Sequence, residues 1–144
     1  MAKKFLPFYN VDAPVGKGAA NQYDDVLLIQ FMLSGIGRVP PHPLPPPTTP
    51  LAVNGTPSET LNEWVLWFQK CCKVTGQNVL VDGRIDPSRS QTGSFYPPGH
   101  GHTMGLINIT FRRRFRAAHD ALERDPNCPI AIRTKFALYD DFAT

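Results

Sequence analysis

The chain has no uninterrupted apolar stretch near the roughly 18 residues that a membrane-spanning helix requires, so no membrane span is expected. Its first dozen residues carry Lys3 and Lys4, but Pro7, Asn10 and Asp12 break up any apolar core, and no secretory signal is expected. Cysteine is scarce. There are three, an odd number, and Cys71 and Cys72 are adjacent, which argues against a disulfide framework. Charge is also sparse, at 19% of residues, with a net value of +3. Most of that surplus is local: without Arg112, Arg113, Arg114 and Arg116, 11 basic side chains face 12 acidic ones. A pervasively basic nucleic-acid binder would not read this way. With 42% hydrophobic residues in 144, the chain is expected to form a single domain (1–144) that buries roughly two thirds of its unfolded surface.

What is abundant is proline. Seven of the 15 prolines fall within Pro40–Pro50, a run that favours extended polyproline II and can join neither a helix nor a central strand. A second loop, Ser88–Gly101, is rich in Ser, Gly and Pro.

The chain also contains an internal echo. Val26-Leu27-Leu28-Ile29-Gln30 and Val65-Leu66-Trp67-Phe68-Gln69 share the pattern Val-Leu-apolar-apolar-Gln. Each is followed by a glycine, Gly35 and Gly76, and then by a Val-Asn/Asp-Gly turn, at Val53-Asn54-Gly55 and Val81-Asp82-Gly83. Both apolar segments read as helices. The first starts within Asn21–Asp25, whose side chains suit a helix N-terminus, and ends at Ser34-Gly35. Every residue from Val26 to Leu33 except Gln30 is apolar, so this helix belongs in the interior. The second opens on Thr60-x-x-Glu63, a capping box, and ends at Gly76. A third helix is expected from Thr103 to Asp125, its apolar stripe running through Met104, Ile107, Phe111, Phe115, Ala118 and Leu122. On it, Arg116 can pair with Asp120, and Asp120 with Arg124. Beyond Pro126, the alternation of Ile130, Ile132, Phe136 and Leu138 suggests a short strand, against which Phe5, Leu6, Phe8 and Tyr9 could pack or pair.

These pieces, in this order, resemble the peptidoglycan-binding-like domain, a three-helix module of bacterial and phage cell-wall proteins. The resemblance rests on Asp25-Val26, Gln30, Leu33 and Gly35, then Val53-Asn54-Gly55, Thr60 and Phe68-Gln69. It continues through Val81-Asp82-Gly83-Arg84-Ile85 to Thr103, which stands where a threonine opens the family's third helix. It covers about residues 15–115 and leaves 116–144 as a helix extension and tail. It implies a mainly α fold, a three-helix bundle with long Pro/Gly-rich loops and short terminal strands. The function it implies is non-catalytic binding of peptidoglycan. Three features depart from the family: the length of the proline run, the insertion Pro87–His102, and a third helix that continues through Arg112–Asp125.

Gln30 and Gln69 lie mid-helix among apolar neighbours. Each is expected to tie down the adjoining turn's backbone, or alternatively to reach a groove. Recognition of glycan and stem peptide calls for amides and carboxylates beside an aromatic face. Asn21, Gln22, Tyr23 and Asp24 are candidates, with Asp82 and Arg84 at the second turn. Arg84 suits a peptide carboxylate. His100-Gly101-His102, with His42 and His119 elsewhere, lacks the adjacent acid of a catalytic zinc site, so no metal and no cofactor are expected. Cys71 and Cys72 point about 100° apart on a helix and have no base placed beside them, so they read as core. No catalytic residue is assigned, and no enzyme activity is expected. Arg112, Arg113 and Arg116 form either a solvated helix face or a surface for an acidic partner. No helix-turn-helix spacing precedes them, which disfavours nucleic acid. Two partners are therefore in view: peptidoglycan, or a protein of a cell-envelope, phage-tail-like or secretion assembly. Without a Sec signal, the expected route is synthesis in the cytoplasm, then release or signal-independent export to the envelope; failing that, the protein stays cytoplasmic.

Overall fold

The computed structural model describes residues 7–88 and 103–143. Its fold is mainly α. In chain order the elements are β1 (Val15–Gly16), α1 (Tyr23–Arg38), α2 (Glu59–Val74), β2 (Arg84–Ile85), α3 (Thr103–Arg114), α4 (Arg116–Asp120), a 3-10 turn (Leu122–Arg124) and α5 (Ile130–Ala143). The strands form an antiparallel pair in which Val15 faces Ile85 and Gly16 faces Arg84.

α1 is the central element, as its all-apolar sequence requires. Residues 25–33 are buried without exception, and the helix touches α2, α3, α5 and β1. It does not stop at Ser34-Gly35. A Cβ on Gly35 would lie 3.0 Å from the Phe111 ring, and one on Gly37 would lie 2.5 Å from the Trp64 ring. These glycines therefore admit neighbouring aromatics instead of ending the helix. The helix ends at Arg38 because Val39 precedes Pro40 and is held extended (φ −116°, ψ 99°). Asn21 does not cap α1 either: it sits at φ 51° and bonds to Gly16 and Ala19.

α2 is capped by Ser58, whose hydroxyl accepts from Leu61 N at 3.1 Å. The expected Thr60 box is displaced by two residues, and Thr60 lies inside the helix. Its C-terminus closes on Gly76 (φ 91°), with Gly76 N donating to Lys73 O and Gln77 N to Cys72 O, a Schellman arrangement.

The third helix is broken. α3 ends at Arg114, Phe115 leaves helical geometry (φ −137°, ψ 62°), and α4 turns back. A continuous helix would hold residues 108 and 119 about 16 Å apart. Here the break brings His119 Nε2 to 3.1 Å from Asn108 Oδ1 and Asp120 Oδ1 to 2.9 Å from Arg112 Nε. His119 is 2% exposed, so the break gives partners to a polar ring that must be buried. The C-terminal strand is also replaced by helix. Ile132 and Phe136, four residues apart, face the core together, and Ile130 is exposed, as on one helical face. Tyr9 and Phe8 are buried. Tyr9 packs edge-on against Phe136 (ring centroids 4.9 Å apart), so the packing holds without any strand pairing. Phe5 and Leu6 lie outside the described residues.

The two halves of the sequence echo have the same local structure. Gln30 Oε1 accepts from Asn54 N and Gly55 N, at 2.9 and 2.8 Å, and its Nε2 donates to Asn54 Oδ1 and Thr56 O. Gln69 Oε1 accepts from Asp82 N and Gly83 N, at 3.1 and 2.8 Å, and its Nε2 donates to Asp82 Oδ1 and Arg84 O. Gln69 Nε2 also lies 3.1 Å from Thr103 Oγ1, at the start of α3. Each buried amide thus serves a turn as a strand neighbour would. Removing one orphans donors that cost about 1–3 kcal/mol apiece when buried. We expect Gln69→Leu to lower the urea unfolding free energy by about 2–4 kcal/mol. Gln30→Leu should cost somewhat less, because it carries no bond to α3. A loss below about 0.5 kcal/mol for either variant would contradict the clamp.

Candidate functional site

Two surfaces collect the residues singled out in the sequence. The first surrounds the start of α1. Asn21 Oδ1 accepts from Gly16 N at 2.8 Å, and Gly16 pairs with Arg84 across β1–β2, so Asn21, Asp82 and Arg84 converge on this short ribbon. The approach is close: a Cβ on Gly16, which has φ 117°, would lie 2.2 Å from Gly83 O. Tyr23 is 58% exposed, and its ring covers Gly55 so closely that a Cβ there would lie 2.3 Å from it. The segment 21–24 therefore links both Gln-clamped turns.

The six candidates are not equally available. The side chain of Asn21 is spent on Gly16 and Ala19, and Asp82 Oδ1 accepts from Arg84 N and Gln69 Nε2. Arg84 Nε donates to Asp86 Oδ1 at 3.2 Å. Gln22 caps α1 without a side-chain bond, and Asp24 is half-buried in the first turn. An exposed aromatic ring flanked by Gln22 and Asp24, beside an Arg-Asp pair, is an arrangement suited to binding.

The second surface is the arginine run, and the broken helix separates its members. Arg112 is drawn into the interior network, where Nε and Nη2 donate to the two oxygens of Asp120. Arg116 is 77% exposed and lies 3.9 Å from the same carboxylate. The partners of Asp120 are thus Arg112, Arg116 and His119, in place of the expected Arg124. Arg114 reaches across to the proline run, donating to Val39 O at 2.7 Å and Pro41 O at 3.1 Å. Arg113 is exposed and makes no ion pair among the described residues. The surface expected from Arg112, Arg113 and Arg116 therefore reduces to Arg113 and Arg116, because Arg112 is committed inward.

The proline run is a strap over α2. Trp64 Nε1 donates to Thr49 O at 2.9 Å, and Trp67 Nε1 to Leu44 O at 3.0 Å. His42 stands edge-on to Trp67 and contacts Gly37 O through Nε2, so it is engaged within the strap. His100, Gly101 and His102 lie outside the described residues. Among the described residues no group of three His, Cys, Asp or Glu is placed to hold a metal ion, and no helix is long and apolar enough to cross a membrane. Burial raises all three thiols: Cys71 is pushed up, with Leu44 O partly opposing the shift, and Cys72 and Cys128 reach about 12. A thiol held protonated in this way is a weak nucleophile at neutral pH.

Reasoning from sequence missed the interior polar network. Tyr9 N donates to Asn108 Oδ1, Asn108 Nδ2 donates to Tyr9 O and Met104 O, and Tyr9 OH donates to His119 O at 2.6 Å. Because Asn108 Oδ1 is an acceptor, His119 Nε2 is the donor in their contact. The sequence signal was an asparagine on the apolar side of a helix, the same signal that marked Gln30 and Gln69. Compared with protein-family models, with curated proteins and with solved structures, the chain matches none.

Burial pushes the Asp120 carboxyl up, but the hydrogen bonds and charges of Arg112 and His119 outweigh burial and hold it below its ordinary value of 3.8. A depressed carboxylate contributes stability above its unfolded value and loses it as pH falls through the folded value. We therefore expect Asp120→Asn to have a lower urea midpoint than the parent at pH 7. The gap between the two midpoints should narrow as pH falls below 3.8. A constant gap from pH 7 to 2.5 would show that the charge on Asp120 is not the cause.

Proposed function

We propose that this chain is a non-catalytic binding module of the peptidoglycan-binding-like type, attaching to the bacterial cell wall through the surface around the start of α1. The observation that carries this reading is the repeated clamp. Gln30 and Gln69, with Asn54-Gly55 and Asp82-Gly83, are the residues on which the family resemblance rests, and both sets do the same structural work. Together they hold the ribbon and turn between which Tyr23 is exposed. A sugar face would stack on that ring. The polar groups of Gln22, Asp24 and Arg84 would serve the glycan hydroxyls and stem-peptide carboxylates.

Purified sacculi test this directly. The chain should sediment with them at low salt, and Tyr23→Ala, at an exposed position, should reduce the bound fraction at least threefold without changing the circular dichroism. Protein that stays in the supernatant would sink the wall-binding reading.

A second reading is favoured by the exposed Arg113 and Arg116 and by the strap over α2: the same fold acts as an adaptor inside a tail-like or secretion assembly. It predicts that light scattering after size exclusion finds an oligomer, or that the chain co-purifies with a protein from its native host. A strictly monomeric chain without such a partner would count against it.

A further inference from the structure

A cleft of about 410 Å³ opens between the strap, α2 and the end of α3. Its apolar wall is made by Ile36, Pro43, Trp67 and Phe68, backed by the buried side chains of Cys71 and Cys72. On the α3 side stand Arg113 and Arg114, and no carboxylate lines the cleft among the described residues. Neither guanidinium is neutralised by a carboxylate among the described residues. Arg113 makes no ion pair among the described residues, and Arg114 gives its terminal nitrogens to two backbone carbonyls while its buried Nε has no hydrogen-bond partner. Two uncompensated positive charges beside an apolar floor call for an anion attached to an apolar body.

We propose that this cleft is a binding site for the free C-terminal carboxylate of a protein partner whose last residue is apolar. Only a chain end carries a carboxylate and an apolar side chain on the same residue, which matches guanidiniums standing next to an apolar floor. The remaining lining groups fit a peptide backbone. Thr110 offers a hydroxyl, Thr75 Oγ1 can accept while its proton goes to Cys72 O, and the side-chain amide of the exposed Gln77 makes no hydrogen bond among the described residues. An acyl chain would have no use for these groups. The strap contributes His42, whose Nε2 already contacts Gly37 O, and Pro43, which has no N–H, so most polar contacts to a peptide come from the helix side. None of the six residues assigned to wall binding lines the cleft, so this site is independent of that reading.

The test uses the full chain and fluorescein-labelled heptapeptides randomised at the last three positions. One library has free carboxyl ends and a second is C-amidated. The chain should retain free-acid peptides enriched in apolar final residues. Amidation of the best binder should weaken it at least tenfold, and 0.5 M NaCl should weaken it further. Arg113→Glu, at an exposed position, should cost at least tenfold. Thr110→Trp, which fills the cleft without changing charge, should abolish retention, with unchanged circular dichroism confirming the fold of both variants. The proposal is overturned if no free-acid peptide is retained, if amidated peptides bind equally, or if dodecanoate binds where the peptides do not. Sacculus binding should be unaffected in Arg113→Glu, so failure of either site is read separately.

Discussion

Every loop that enters the interior of this protein must find partners for its backbone N–H and C=O groups, and strands supply few of them. The two described strands have two residues each. Buried side-chain amides do the work in their place. Gln30 and Gln69 hold the two Gly turns, Asn108 binds both backbone groups of Tyr9, and Asn10 bonds to Ser88 through both Ser88 N and Ser88 O. An amide presents a donor and an acceptor in the geometry of a peptide group, so each acts as one residue of an absent strand. Leaving those groups unmade would cost about 1–3 kcal/mol each, a large share of the total stability of a domain this size. Asp25 extends the device to a carboxylate: its two oxygens accept from Asp12 N and Ala13 N, and Lys135 Nζ lies 3.6 Å from one of them.

The same requirement explains the broken third helix and, through it, the fate of the charge. A straight helix would have displayed four arginines along one solvated stretch. With α4 folded back to bury His119 against Asn108, Arg112 turns inward to Asp120, while Arg114 crosses to the strap. Arg113 and Arg116 keep exposed guanidiniums, although Arg116 still shares Asp120, while Arg114 is anchored to neutral carbonyls and keeps its charge beside the cleft. The net charge of +3 therefore overstates the basic surface, because half of the run has internal duties.

What could be read from the sequence was whatever depends on a few neighbouring residues. The burial of α1 followed from an apolar run interrupted only at Gln30, and the duties of Gln30 and Gln69 followed from placing an amide where only a buried partner could satisfy it. The stop at Gly76 was legible because no other feature competes there. Gly35 carried the same letter with a different role, since the rings of Phe111 and Phe115 that approach it are some eighty residues away. Residues 130–138 alternate like a strand, yet Ile132 and Phe136 also suit one helical face. The choice was made by Tyr9, which lies at the other end of the chain and packs on Phe136. The Phe115 break had no proline or glycine to announce it, being imposed by contacts among His119, Asn108 and Tyr9.

The duplicated unit also shows why two identical clamps need not have the same use. Gln69 has an extra partner in Thr103, so its turn is tied to α3 and its helix is covered by the strap through Trp64 and Trp67. Gln30 belongs to a helix whose residues 25–33 are all buried, and its turn is covered by Tyr23, which is itself exposed. The turns of both copies are at the surface, since Asn54 and Asp82 are both exposed, and the helix of the second copy forms one wall of the cleft beside Arg113 and Arg114. In the first copy the turn lies against the exposed ring of Tyr23. Two surfaces of different chemistry, one aromatic and hydrogen-bonding, the other apolar and cationic, thus arise from one repeated arrangement. The difference lies in what packs around each clamp, because the clamp bonds themselves are nearly the same.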